Sequence, residues 1–99
     1  MFAMAGKMTF DPSVREELVD MLDRLNQQSP TEPGCVSYAF TMDLHDRNTF
    51  RFFECWEDQA TFDAHCATPQ YAEFSETFMP KVTAVEASRY EVSEATKLA

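Results

Sequence analysis

The sequence predicts an α+β domain of the ferredoxin-like, split-βαβ kind, a four-stranded antiparallel sheet with its helices on one face. Three observations carry this. The first nine residues after Met1 alternate at period two, and residues 14–25 repeat at helical spacing. Two runs rich in aromatic and β-branched residues then flank a short polar turn, and a broken helix and a last strand follow. The order is β-α-β-β-α-β.

In the first run, residues 2–10 put Phe2, Met4, Met8 and Phe10 on one face and Ala3, Ala5, Lys7 and Thr9 on the other. Asp11-Pro12 starts a helix, with Ser13-x-x-Glu16 as a competing capping box. Val14, Leu18, Met21, Leu22 and Leu25 make an amphipathic stripe, so the helix is predicted over residues 13–28. SPTEPG, residues 29–34, is a loop.

Residues 35–43 and 49–57 read as a hairpin. Phe50, Phe52, Glu54 and Trp56 share one face of its second strand, and Arg51, Phe53, Cys55 and Glu57 the other. Large apolar groups on both faces imply that both are covered, most simply by a second subunit. Asp58 caps the next helix, Thr68-Pro69 breaks and restarts it, and Met79-Pro80 ends it. Residues 82–92 form the last strand. The expected organisation is one domain over residues 1–92 and a polar tail over 93–99.

Charge and composition narrow the function. A net charge of −9 argues against nucleic acid and anionic membranes, which need clustered Lys and Arg. No apolar run is long enough for a transmembrane helix, and MFAMAGK is too short for a signal segment. Three cysteines without a CxxC pair fit reduced thiols, so a cytoplasmic protein is expected. His45 and His65 fall in different elements, which points away from a dedicated metal site. GxGxxG, Walker A, GxSxG and HExxH motifs are all absent.

The candidate chemistry lies between Glu32 and Phe74. His65 is the one plausible acid–base group there whose unperturbed titration lies near neutrality, serving either as a base or as a structural histidine, since His45, beside Asp43 and Asp46 in a turn, reads as a solvated loop residue. Glu54, between Phe52 and Trp56, must be neutralised or paired if buried, with His65 or Arg89 as partner, or else reaches water at the strand end. Trp56 offers a stacking face or a core filler. Phe62, Tyr71, Phe74 and Phe78 form a stripe that reads as helix-to-sheet packing. Tyr38 and Tyr90 need hydroxyl partners if buried, and Cys55 and Cys66 read as small buried hydrophobes.

Glu32-Pro33-Gly34-Cys35-x-x-Tyr38, then Phe53-Glu54-x-Trp56-x-Asp58, then Ala64-His65-x-x-Thr68-Pro69-x-Tyr71-x-x-Phe74 together resemble the antibiotic biosynthesis monooxygenase family. The resemblance implies a dimeric α+β barrel with two sheets face to face. It further implies oxidation of a small electron-rich aromatic by O2 without metal, flavin or haem. A base takes a proton from the substrate, and the anion gives an electron to O2. The radicals then recombine to a hydroperoxide, which collapses to a quinone. On this reading Trp56, Phe62, Tyr71 and Phe74, with Phe52 and Tyr38, line an aromatic cavity. His65 is the base and Glu54 orients it.

Two departures count. Polyketide-tailoring relatives use asparagine where this chain has Phe52, and haem-degrading relatives use asparagine in a first strand that here carries Gly6-Lys7. The second disfavours haem degradation. Two further classes compete with the oxygenase: a non-oxidative ligand-binding or isomerising dimer, and a structural interaction module. Few cations (Lys7, Arg51, Lys81, Arg89) are available for a phosphorylated ligand.

Overall fold

The computed structural model describes Met1–Ala99. Strand β1 (Phe2–Phe10) leads through a 3-10 turn (Pro12–Val14) into helix α1 (Arg15–Gln28). A second 3-10 turn (Ser29–Thr31) precedes the hairpin β2 (Cys35–Met42) and β3 (Thr49–Trp56). Helices α2 (Gln59–Cys66) and α3 (Pro69–Thr77), a third 3-10 turn (Met79–Lys81) and β4 (Val82–Glu91) complete the chain. The four strands form one antiparallel sheet in the order β2-β3-β1-β4, as the split-βαβ reading requires.

The local differences from the sequence reading have simple causes. Asp11 accepts the Ser13 N–H at 2.9 Å, so the Asp-Pro signal starts a 3-10 turn, and the α-helix proper begins at Arg15. The Ser13–Glu16 capping box does not form, because Val14 holds the cap position of α1 without a side-chain bond. Asp43 lies just beyond β2. Its carboxylate accepts from the backbone of His45 and Asp46 and from Arg51 Nε, closing the turn.

The register pairs Phe2 with Trp56, Met4 with Glu54 and Gly6 with Phe52, while Tyr38 and Phe40 lie opposite Glu54 and Phe52. One sheet face therefore carries Phe2, Phe10, Tyr38, Phe40, Phe50, Phe52 and Trp56 and meets the helices. Helix α1 supplies Leu18, Met21, Leu22 and Leu25, all buried, and α3 supplies Phe74. At Gly6 a Cβ would come within 3.0 Å of the Ala87 Cβ, so glycine lets β4 approach β1 closely there.

The other sheet face carries Ala3, Ala5 and Lys7 of β1, Phe53 and Cys55 of β3, and Ser88 and Tyr90 of β4. Phe53 is 46% exposed and Tyr90 55%. Strand β4 is exposed along nearly its whole length. No helix of the chain is long and apolar enough to cross a membrane.

Candidate functional site

His65 is the penultimate residue of α2. Asp58 begins that helix with a capping box, accepting the Thr61 N–H at 2.8 Å. Phe62 and His65, three residues apart, then face the sheet. At the other end Thr68 donates its hydroxyl to the His65 carbonyl at 2.8 Å, and the break at Thr68-Pro69 turns the chain into α3. His65 is 1% exposed.

Its ring is caged by aromatics. Ring centroids lie at 4.8 Å from Trp56, 5.1 Å from Tyr71, 5.4 Å from Tyr38 and 6.1 Å from Phe62. Nδ1 lies 2.8 Å from Glu32 Oε1. The other ring nitrogen, Nε2, and the other Glu32 oxygen are buried and have no hydrogen-bond partner.

Glu32 reaches His65 because of the turn it opens. Gly34 stands at φ +80°, in the left-handed region, and its carbonyl accepts the Glu57 N–H at 2.9 Å. A Cβ there would fall on the Thr61 side chain, so the turn presses against the first turn of α2.

Glu54 is 8% exposed and accepts the Trp56 indole N–H at 2.8 Å. Burial pushes its carboxyl above the ordinary range, the Trp56 bond and nearby His65 pull it partly back, and Glu32 pushes it up again. The expected orienting bond from Glu54 to His65 is therefore not made. Glu54 and Trp56 stand two residues apart on one strand face, so the indole takes the carboxyl locally. Nor does Arg89 pair with Glu54. It donates to Glu91 and Gln59 and covers the Phe2 ring at 3.8 Å.

Burial also pushes the Tyr38 and Tyr71 hydroxyls above their ordinary range, with Glu54 adding to both. The Cys35 thiol is pushed up to about 11 by burial, then by Glu32 and Glu54. Cys55 and Cys66 are raised by burial too, so none of the three is an activated nucleophile.

The sequence reading expected an aromatic cavity between helices and sheet. Instead its proposed walls pack on one another. Trp56 has no exposure, Phe40 meets Phe52 and Phe74 at 5.8 and 5.9 Å, and Tyr71 meets Phe74 at 6.1 Å. The depression that touches His65 lies on the outside, about 360 Å³ between Glu32, Pro33, Asp58, Ala60, Thr61, Ala64 and Thr68. A larger one of about 470 Å³ runs along the sheet between Lys7, Arg51, Glu86 and Tyr90. Of the proposed cavity walls it touches Phe52 alone. No three His, Cys, Asp or Glu side chains converge as metal donors.

The profile of the antibiotic biosynthesis monooxygenase family matches residues 1–77. The chain belongs to the antibiotic biosynthesis monooxygenase family. All the candidate residues from Glu32 to Phe74 fall inside the matched stretch, and β4 falls outside it. An uncharacterized protein of Synechocystis, sll1783, is 38% identical over 73 residues, covering 74% of this chain and 50% of the relative. This chain thus spans about half the length of that relative. YcnE of Bacillus subtilis, named as a candidate monooxygenase, is 28% identical over 74 residues, 75% of this chain and 78% of that one.

Among solved structures, PA3566 from Pseudomonas aeruginosa has a TM-score of 0.80 at 27% identity, covering 93% and 94% of the two chains. A family member from Deinococcus radiodurans has a TM-score of 0.75 at 24% identity over 100% and 99%, which speaks for the fold alone.

The sequence reading missed Glu32 as the partner of His65. In the sequence Glu32 stands out only as the first residue of the EPG turn. A glycine-bent turn beside the strand that leads into α2 was the available signal.

Proposed function

We propose that this protein is a cofactor-independent monooxygenase that oxidises a small electron-rich aromatic, quinol- or phenol-like, with O2. The observation that carries the reading is a buried histidine with an unpartnered Nε2, caged by four aromatic rings and close to a buried carboxyl. His65 takes the substrate's acidic proton, and the anion passes an electron to O2. Recombination of the two radicals forms a carbon–oxygen bond, the resulting peroxide anion takes the proton back from His65, and the hydroperoxide loses water to leave a carbonyl. One oxygen atom enters the product and the other leaves as water.

Trp56, Phe52, Phe62, Tyr71, Phe74 and Tyr38 would bind the ring, and Glu54, held by Trp56, would bias charge in the cage. Entry requires Phe62 or Tyr71, both half-buried, to move aside. The working form is a cytoplasmic homodimer joined through the open sheet face. Exposed Phe53 and Tyr90 and the uncovered β4 support that pairing.

The test is O2 uptake by metal-free protein against a panel of quinols. The wild type should exceed the uncatalysed rate and His65→Ala should not. Equal rates for both proteins on every substrate would end this reading.

The close packing of Trp56 and Phe74 favours a second reading, in which the fold binds or isomerises a ligand, or only assembles, without oxidation. Ligand-induced melting shifts without O2 consumption would mark the binding form. No shift at all would mark the structural one.

A further inference from the structure

We propose that Glu32 is the positioning residue of this site, holding the His65 ring in the single tautomer that leaves the lone pair on Nε2. This rests on reading His65 as the base. Nδ1 and Glu32 Oε1 are 2.8 Å apart. A carboxylate only accepts hydrogen bonds, and a neutral imidazole has one N–H, so the hydrogen belongs on Nδ1. Nε2 is then the acceptor, buried and without a partner. That is the atom a base must keep free.

No other group facing the ring competes for this role. Glu54, from β3, is engaged by the Trp56 N–H. Tyr38 from β2 and Tyr71 from α3 meet the ring edge-on as neutral phenols. Cys35 and Cys66 stay protonated for the burial reasons given above.

The scaffold also fixes the distance. Glu32 follows the 3-10 turn Ser29–Thr31, and Gly34 seats the turn against Thr61 at the cap of the helix that carries His65. Donor and acceptor are thus mounted on two segments that touch at a glycine. When Nε2 takes a proton, the ring becomes a cation with hydrogen on both nitrogens. Glu32 offsets that charge at Nδ1.

The experiment is a long-range proton–nitrogen correlation spectrum of the full-length, nitrogen-15-labelled protein at neutral pH, with His45 assigned through His45→Asn. The expected wild-type spectrum shows His65 with hydrogen on Nδ1 and none on Nε2. Glu32→Gln, whose amide can donate or accept, should give mixed tautomers, and Glu32→Asp should restore part of the preference. Hydrogen on Nε2 in the wild type, on one or both nitrogens, would overturn the proposal. So would an unchanged tautomer in folded Glu32→Gln.

On any substrate the wild type oxidises, Glu32→Gln should lower kcat about 10- to 100-fold with KM nearly unchanged. The spectrum needs no substrate. The tautomer can therefore be refuted while oxygenase activity stands, and the reverse.

Discussion

The indole N–H of Trp56 donates to the carboxyl of Glu54 at 2.8 Å, two residues back on the same face of β3. The bond is buried at both ends and unites a core residue with an ionisable one. Its loss leaves a carboxyl without its donor in a low-dielectric interior. Trp56→Phe should therefore cost about 1–3 kcal/mol from the unmet polar group, on top of the lost packing. In a double-mutant cycle with Glu54→Leu, urea denaturation should show a coupling of about 0.5–3 kcal/mol. Additive losses would mean that the bond contributes nothing.

The same carboxyl has a testable pH signature. Burial raises the Glu54 pKa above its ordinary value of 4.5, so the folded state holds this proton more tightly than the unfolded chain. Its contribution is fully present below 4.5 and is lost as the pH rises through the raised value. Asp11, Asp43 and Asp58 run the other way, since backbone N–H groups lower each of them and their contribution is lost as the pH falls. Wild type minus Glu54→Gln stability, measured by denaturant titration, should therefore decline from pH 4 to pH 7. A difference that is flat or rising would contradict the burial argument.

Asn26 guards the edge of the sheet. Its amide accepts the Phe40 N–H at 2.7 Å and donates to the Phe40 carbonyl at 2.9 Å, occupying both groups of an edge strand. Asn26→Ala should cost about 1–3 kcal/mol and promote association through β2. Thermal melting and light scattering read the two effects separately.

Phe53 tests the second subunit. It stands 46% exposed among small residues on the face that no helix meets. Wild type should sediment as a dimer at micromolar concentration, and Phe53→Glu should shift it toward monomer without loss of secondary structure. A monomeric wild type would remove the homodimer from the proposed function.

The antiparallel sheet and its helices were legible because their signals are local. Period-two alternation over Phe2–Phe10, the Asp58 cap and the Thr68-Pro69 break each act within a few residues. The grouping of Glu54, Trp56 and His65 was legible too, since the three crowd one short stretch and do meet in space. The hydrogen-bond pairing was not. His65 and Glu32 are 33 positions apart, and the sequence offered the nearer Glu54 as the carboxylate for that role.

By itself the sequence determined the elements, their order and the apolar face of β1, because propensity, capping and periodicity are short-range properties of the chain. The tertiary structure alone decided that Glu32 holds His65 and that Glu54 holds Trp56. It also decided that the aromatic stripe closes on itself. Those outcomes depend on how one turn, bent at Gly34, seats against α2, and on how many rings the space between helices and sheet can hold. Neither distance nor volume is written in residue spacing.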